Sequence, residues 1–132
     1  MRVAYLTTDE VNEAEARHMA EKLDITLCPL APRDGPPGNE YDAVLYDWDS
    51  WPADRRQQAL AEMCAGPLPH AVAVHGYNLD DDAAERLRRH TIAVYRRLQP
   101  RVFRFLRLAV TTVRTARGWG RKPLSDRVMK SP

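Results

Sequence analysis

Five short apolar runs recur along this chain, separated by segments that read as helices or breakers, and this alternation restricts the fold more than any other feature. The runs are Val3–Leu6, Ile25–Leu30, Ala43–Tyr46, Ala71–Val74 and Ile92–Tyr95. Each is rich in β-prone residues and lacks the polar alternation of a strand with one wet face. Strands of that kind need cover on both faces, which helical crossovers in a parallel sheet provide. The reading is therefore an α/β fold: a doubly wound, five-stranded parallel sheet in the order 2-1-3-4-5. With 132 residues, the chain is long enough for one domain with its own apolar core.

The segments between the strands carry start and stop signals. Thr7 and Glu10 have capping-box spacing, so a first helix is predicted from about Thr8, with Ala16, Met19, Ala20 and Leu23 on one apolar stripe. The Pro- and Gly-rich stretch Ala31–Asn39 cannot be helix or central strand, so a loop replaces the helix between strands two and three. Ser50-Trp51-Pro52 opens a helix running to Cys64. Asn78 is the predicted cap of a helix with Asp80, Asp81 and Asp82 in its first turn and Arg88, Arg89 and His90 at its end, an order that suits the helix dipole. A final long helix is predicted from Arg101 to Arg117, ending at Gly118. Residues 1–117 form the expected domain, and 118–132 a mobile basic tail.

The net charge of +2 conceals a division. Residues 1–85 hold 6 Lys or Arg and 17 Asp or Glu, whereas residues 86–132 hold 14 Lys or Arg and one acid, Asp126. A change of sign of that size points to an acidic working face and a basic surface for an anionic partner. On the last predicted helix, Val102, Leu106, Val110 and Val113 gather on one side. Arg104, Arg107, Arg114 and Arg117 gather on the other, with Arg101 at the edge and Arg121 and Lys122 beyond. These residues are candidates for binding an anion. Three classes of partner fit such a surface: a nucleic acid, whose affinity would fall steeply with salt, an acidic protein surface, or a second copy in a homodimer. No apolar stretch is long enough to span a bilayer. The first residues lack a signal-peptide cleavage pattern, and a cytoplasmic location is the default expectation. Cys28 and Cys64 are expected to be reduced thiols.

In a doubly wound sheet a site forms beyond the C-terminal strand ends. Thr7, Thr8, Asp9 and Glu10 fall there after strand one, Asp47, Trp48 and Asp49 after strand three, His75 and Gly76 after strand four, and Arg96 and Arg97 after strand five. Acids faced by arginine could form a pocket for Mg²⁺ or a phosphoryl group. The plainer alternative for Asp47 is a strand-end carboxylate bonded to backbone N–H groups, and Trp48 and Trp51 read best as packing residues.

The element order, together with Tyr41-Asp42-Ala43-Val44-Leu45-Tyr46-Asp47 and Pro52, resembles a response-regulator receiver domain over roughly residues 1–117. The resemblance implies that Asp47 is the phospho-acceptor and that Asp9 and Glu10, with Asp47, are the ligands of a Mg²⁺ ion. His75 stands where the family has a switching Ser or Thr. Arg96 or Arg97 stands where it has Lys, with Leu98 in place of the following Pro. These departures describe a degenerate or pseudo-receiver that has kept the fold. The function expected is a non-enzymatic signalling or protein-interaction module. The alternative is a nucleic-acid-binding accessory protein using the arginine-rich helix and tail, and an enzyme built on His75 with Asp47 or Asp49 is the least favoured.

Overall fold

A computed structural model of the chain describes residues 1–32, 37–66, 68 and 70–121, with side chains through Thr112 in the last helix. Its five strands are β1 (Arg2–Leu6), β2 (Thr26–Leu30), β3 (Ala43–Asp47), β4 (Ala71–His75) and β5 (Ala93–Tyr95). They form one sheet in the order β2-β1-β3-β4-β5, with every neighbouring pair parallel. The helices are α1 (Glu10–Lys22), α2 (Arg56–Met63), α3 (Asp81–Arg89) and α4 (Pro100–Arg121). Between β2 and β3 there is no helix among the described residues. Pro29 sits in β2, at the sheet edge, where its missing N–H costs no ladder hydrogen bond.

The sheet separates two apolar layers. Ala4, Leu6, Val44, Tyr46, Val72 and Val74 pack with Leu60 and Met63 of α2 and with Ala83 and Leu87 of α3. Val3, Tyr5, Leu45 and Ala73 pack with Ala16 and Ala20 of α1 and with Val102, Phe103, Leu106 and Val110 of α4. Strand alternation assigns Asp47 and His75, two residues beyond Leu45 and Ala73, to the α1–α4 face.

Four predicted helix ends differ from those observed. α1 is capped by Asp9, not through Thr7: Asp9 Oδ1 accepts from the backbone N–H groups of Val11 and Asn12. The Thr7 hydroxyl is held by a residue far away in sequence, described below. α3 is capped by Asp80, which accepts from the N–H of Ala83, rather than by Asn78. The segment after β3 begins as two 3-10 turns, Trp48–Ser50 and Ala53–Arg55, separated by an extended Pro52, so α2 starts only at Arg56. α4 continues through Gly118 to Arg121 because helical hydrogen bonding does not require a side chain there. The tail from Lys122 onward lies outside the described residues.

Among the described non-glycine residues, the chain takes the left-handed conformation at Asp24 (φ 59°) after α1 and at Thr91 (φ 60°) after α3. Asp tolerates this region, but it is unfavourable for a β-branched Thr. Neither cysteine is in a disulfide, and no helix of the described residues is long and apolar enough to cross a membrane.

Candidate functional site

The C-terminal ends of β1, β3 and β4 bring Thr7, Asp47 and His75 together at the switch point of the sheet. Asp47 and His75 are register partners. Asp47 is 1% exposed and His75 3%. One carboxylate oxygen of Asp47, Oδ2, accepts three hydrogen bonds: from Thr7 Oγ1 at 2.8 Å, Ser50 Oγ at 2.9 Å and Asn12 Nδ2 at 3.2 Å. All three donors are side chains, so the expectation of backbone N–H partners for Asp47 is replaced by a side-chain network. The other oxygen, Oδ1, is buried and has no hydrogen-bond partner.

The two hydroxyls pass this anchoring on to the backbone. Thr7 Oγ1 accepts from the N–H of Asp9, and Ser50 Oγ from the N–H of Thr8. A hydroxyl both donates and accepts, so Asp47 fixes the β1–α1 turn through two relays. This explains why Thr7 does not cap α1.

Tyr5 lies on the same face of the sheet. Its Oη is 2.7 Å from His75 Nε2, within hydrogen-bond distance, and the two rings are tilted at 45° with centroids 5.6 Å apart. Burial, and secondarily the charge of Asp47, pushes the Tyr5 phenol well above its ordinary pKa, so it keeps its proton. Burial lowers the pKa of His75, opposed by the nearby charges of Asp47, Asp49 and Asp9. A hollow of about 410 Å³ opens over His75, with Asn12, Glu15, Arg97 and Gln99 among its walls.

Several predicted site residues have other roles. Asp49 clamps the β4–α3 turn: its two oxygens accept from the N–H groups of Tyr77 and Asn78, at 2.8 and 2.9 Å. Gly76 lets the turn approach that closely, since a Cβ there would lie 2.7 Å from Trp48 Cβ and 3.3 Å from Asp49 Oδ1. Arg96 turns away from Asp47, donating to the Leu79 carbonyl and pairing with Asp81, at 2.7 and 2.8 Å. It ties β5 to the start of α3 and does not serve the acid pocket. Arg97 reaches the hollow over His75.

The Mg²⁺ set Asp9, Glu10 and Asp47 is not assembled. Among the described residues no group of three or more His, Cys, Asp or Glu side chains could hold a metal ion. The physical reason is that Asp9 caps α1, Glu10 is exposed on its first turn, and Asp47 is buried behind its own donors.

Trp48 and Trp51 are buried packing residues, each 3% exposed. Of the basic candidates, Arg101, Arg104 and Arg107 are exposed along α4. The side chains of Arg114, Arg117 and Arg121, and all of Lys122, lie outside the described residues.

Sequence reasoning missed Tyr5, Asn12 and Ser50 as site residues. Strand parity could have found Tyr5, which shares a face with Asp47 once β1 and β3 are paired. Asn12 and Ser50 carry no comparable signal, because their roles depend on how α1 and the 3-10 turn are placed over the strand ends. No protein-family model, no curated protein and no solved structure matches this chain.

Proposed function

We propose that this chain is a receiver-like, non-enzymatic interaction module whose phospho-acceptor position is held in one state by its own side chains. The observation that carries this reading is the condition of Asp47: a carboxylate 1% exposed, with one oxygen bonded to three internal donors. Phosphoryl transfer needs an accessible oxygen in line with the donor, and cations to offset the gathering charge. Here the side chains that would respond to a phosphoryl group are occupied elsewhere: Arg96 on Asp81 and the Leu79 carbonyl, His75 on Tyr5. What such a module offers a partner is surface, and Arg86, Arg88 and Arg89 on α3 with Arg101, Arg104 and Arg107 on α4 are exposed parts of it.

The test is to incubate the protein with Mg²⁺ and acetyl phosphate and weigh it intact. The expected result is no phosphate adduct. A stoichiometric, Mg²⁺-dependent adduct that disappears in Asp47→Asn overturns the reading. The exposed Arg101, Arg104 and Arg107 favour a polyanion as the second reading, which requires duplex DNA binding that weakens steeply with added salt.

A further inference from the structure

The helices cover both faces of the sheet but leave its N-terminal end open on one side. α4 has 22 residues, a length of about 33 Å, whereas a five-residue strand such as β4 spans about 17 Å. α4 starts at the C-terminal rim and runs antiparallel to the strands, so its second half extends past their N-terminal ends. Beneath that overhang is a groove of about 810 Å³. Its apolar walls include Leu68, Ile92, Phe105 and Leu108. Leu108 is 67% exposed, although it lies among the well-buried Phe103, Leu106 and Val110 of the same helix. A single exposed Leu has no significance, but one at the edge of a contiguous apolar groove belongs to a patch.

The rim decides what could fill this groove. Among the described residues no Asp or Glu lines it, while Arg89 and His90 do. The acid nearest in sequence to that rim, Glu85, is engaged in an exposed pair with Arg89, at 2.8 Å. Such surface pairs contribute little and exchange readily. Arg88 is exposed on the same last turn of α3, whereas Arg86 lines a separate hollow with Asp82 and Glu85. Arg104 is exposed one turn before Leu108 on α4. The wall at Thr91 is a β-branched residue in the left-handed region, a strained conformation of the kind found at ligand-binding edges. A nucleic acid could answer the charge but would leave the apolar walls wet. A neutral helix would fill the walls but ignore the charge.

We propose that this groove docks an acidic amphipathic segment of a partner protein. Its apolar side chains, at helical spacing, enter between Leu68, Ile92, Phe105 and Leu108, and its Asp and Glu side chains meet Arg89 at the rim, with Arg88 and Arg104 next to it. The proposal rests on the reading of the chain as an interaction module and names the surface and the partner's chemistry.

The test uses the full chain against two pools of displayed peptides with the same apolar positions at i, i+3 or i+4, and i+7. One pool carries Asp and Glu between those positions, the other Lys and Arg. The expected result is enrichment from the acidic pool only. An enriched acidic peptide should bind about tenfold more weakly to Leu108→Gln, a substitution at an exposed position that leaves the unfolding midpoint in place. Enrichment from both pools alike, from the basic pool, or from neither overturns the proposal. So does self-association of the wild type that Leu108→Gln abolishes, because the occupant is then a second copy. Phosphate uptake at Asp47 would remove the locked-site reading without changing any peptide result, so the two failures are distinguishable.

Discussion

The two ends of the sheet are built in opposite ways. At the C-terminal end polar side chains are gathered and bonded to one another: Thr7, Ser50 and Asn12 converge on one oxygen of the buried Asp47, with the Tyr5–His75 pair and a hollow of about 410 Å³ beside it. At the N-terminal end an apolar groove is left open and bordered by arginine. The end that resembles a reaction centre is engaged with itself, and the end with no catalytic groups has unsatisfied surface.

The largest effect expected is from removing the acceptor at the closed end. Asp47→Ala leaves two hydroxyls and an amide without their partner and should lower stability by about 3 kcal/mol in urea unfolding. Asp47→Asn keeps an oxygen where Oδ2 sits and relieves a buried charge, so its change should stay within about 1 kcal/mol. Equal losses in the two variants would show that charge, not acceptance, matters there.

Next in size is the turn that this end clamps. Gly76→Ala forces a methyl against Trp48 Cβ, and should cost about 2 kcal/mol by the same measurement. A neutral result would mean that the β4–α3 turn is not held as tightly as its two bonds to Asp49 imply.

The smallest effect is a pH response confined to the same end. Burial depresses the pKa of His75 in the folded state, so the unfolded chain takes up a proton at a higher pH than the folded one. This contribution to stability is complete above the unfolded value of about 6.5 and is lost as pH falls below it, toward the depressed folded value. Unfolding midpoints compared at about pH 7.5 and about pH 5 should therefore drop more in the wild type than in His75→Gln. The same drop in both proteins would remove His75 from the response.

Much of the fold was legible because its signals are local. The apolar runs marked all five strands, and the Pro- and Gly-rich stretch marked the segment between β2 and β3 whose described residues hold no helix. The acids and arginines of residues 80–90 marked α3 from both ends. The site was legible in part. Strand ends placed Asp47 and His75 side by side at one rim. Errors arose where one side chain could serve two partners. Thr7 can cap a helix or bond a carboxylate across the sheet, and the second prevails because Asp47 is buried and needs donors. Arg96 can face Asp47 or Asp81, and the end of β5 directs it to α3.

The amino-acid order by itself determined the parallel α/β architecture, the placement of carboxylates and imidazole at one rim, and the concentration of positive charge in the last third of the chain. Periodicity and composition act over a few residues, and a one-dimensional pattern preserves them. Only the tertiary structure decided which oxygen of Asp47 is occupied, which way Arg96 turns, and that α4 overhangs an open groove. Those outcomes depend on competition between groups brought together from distant parts of the chain, where burial sets the strength of each hydrogen bond and the local sequence does not.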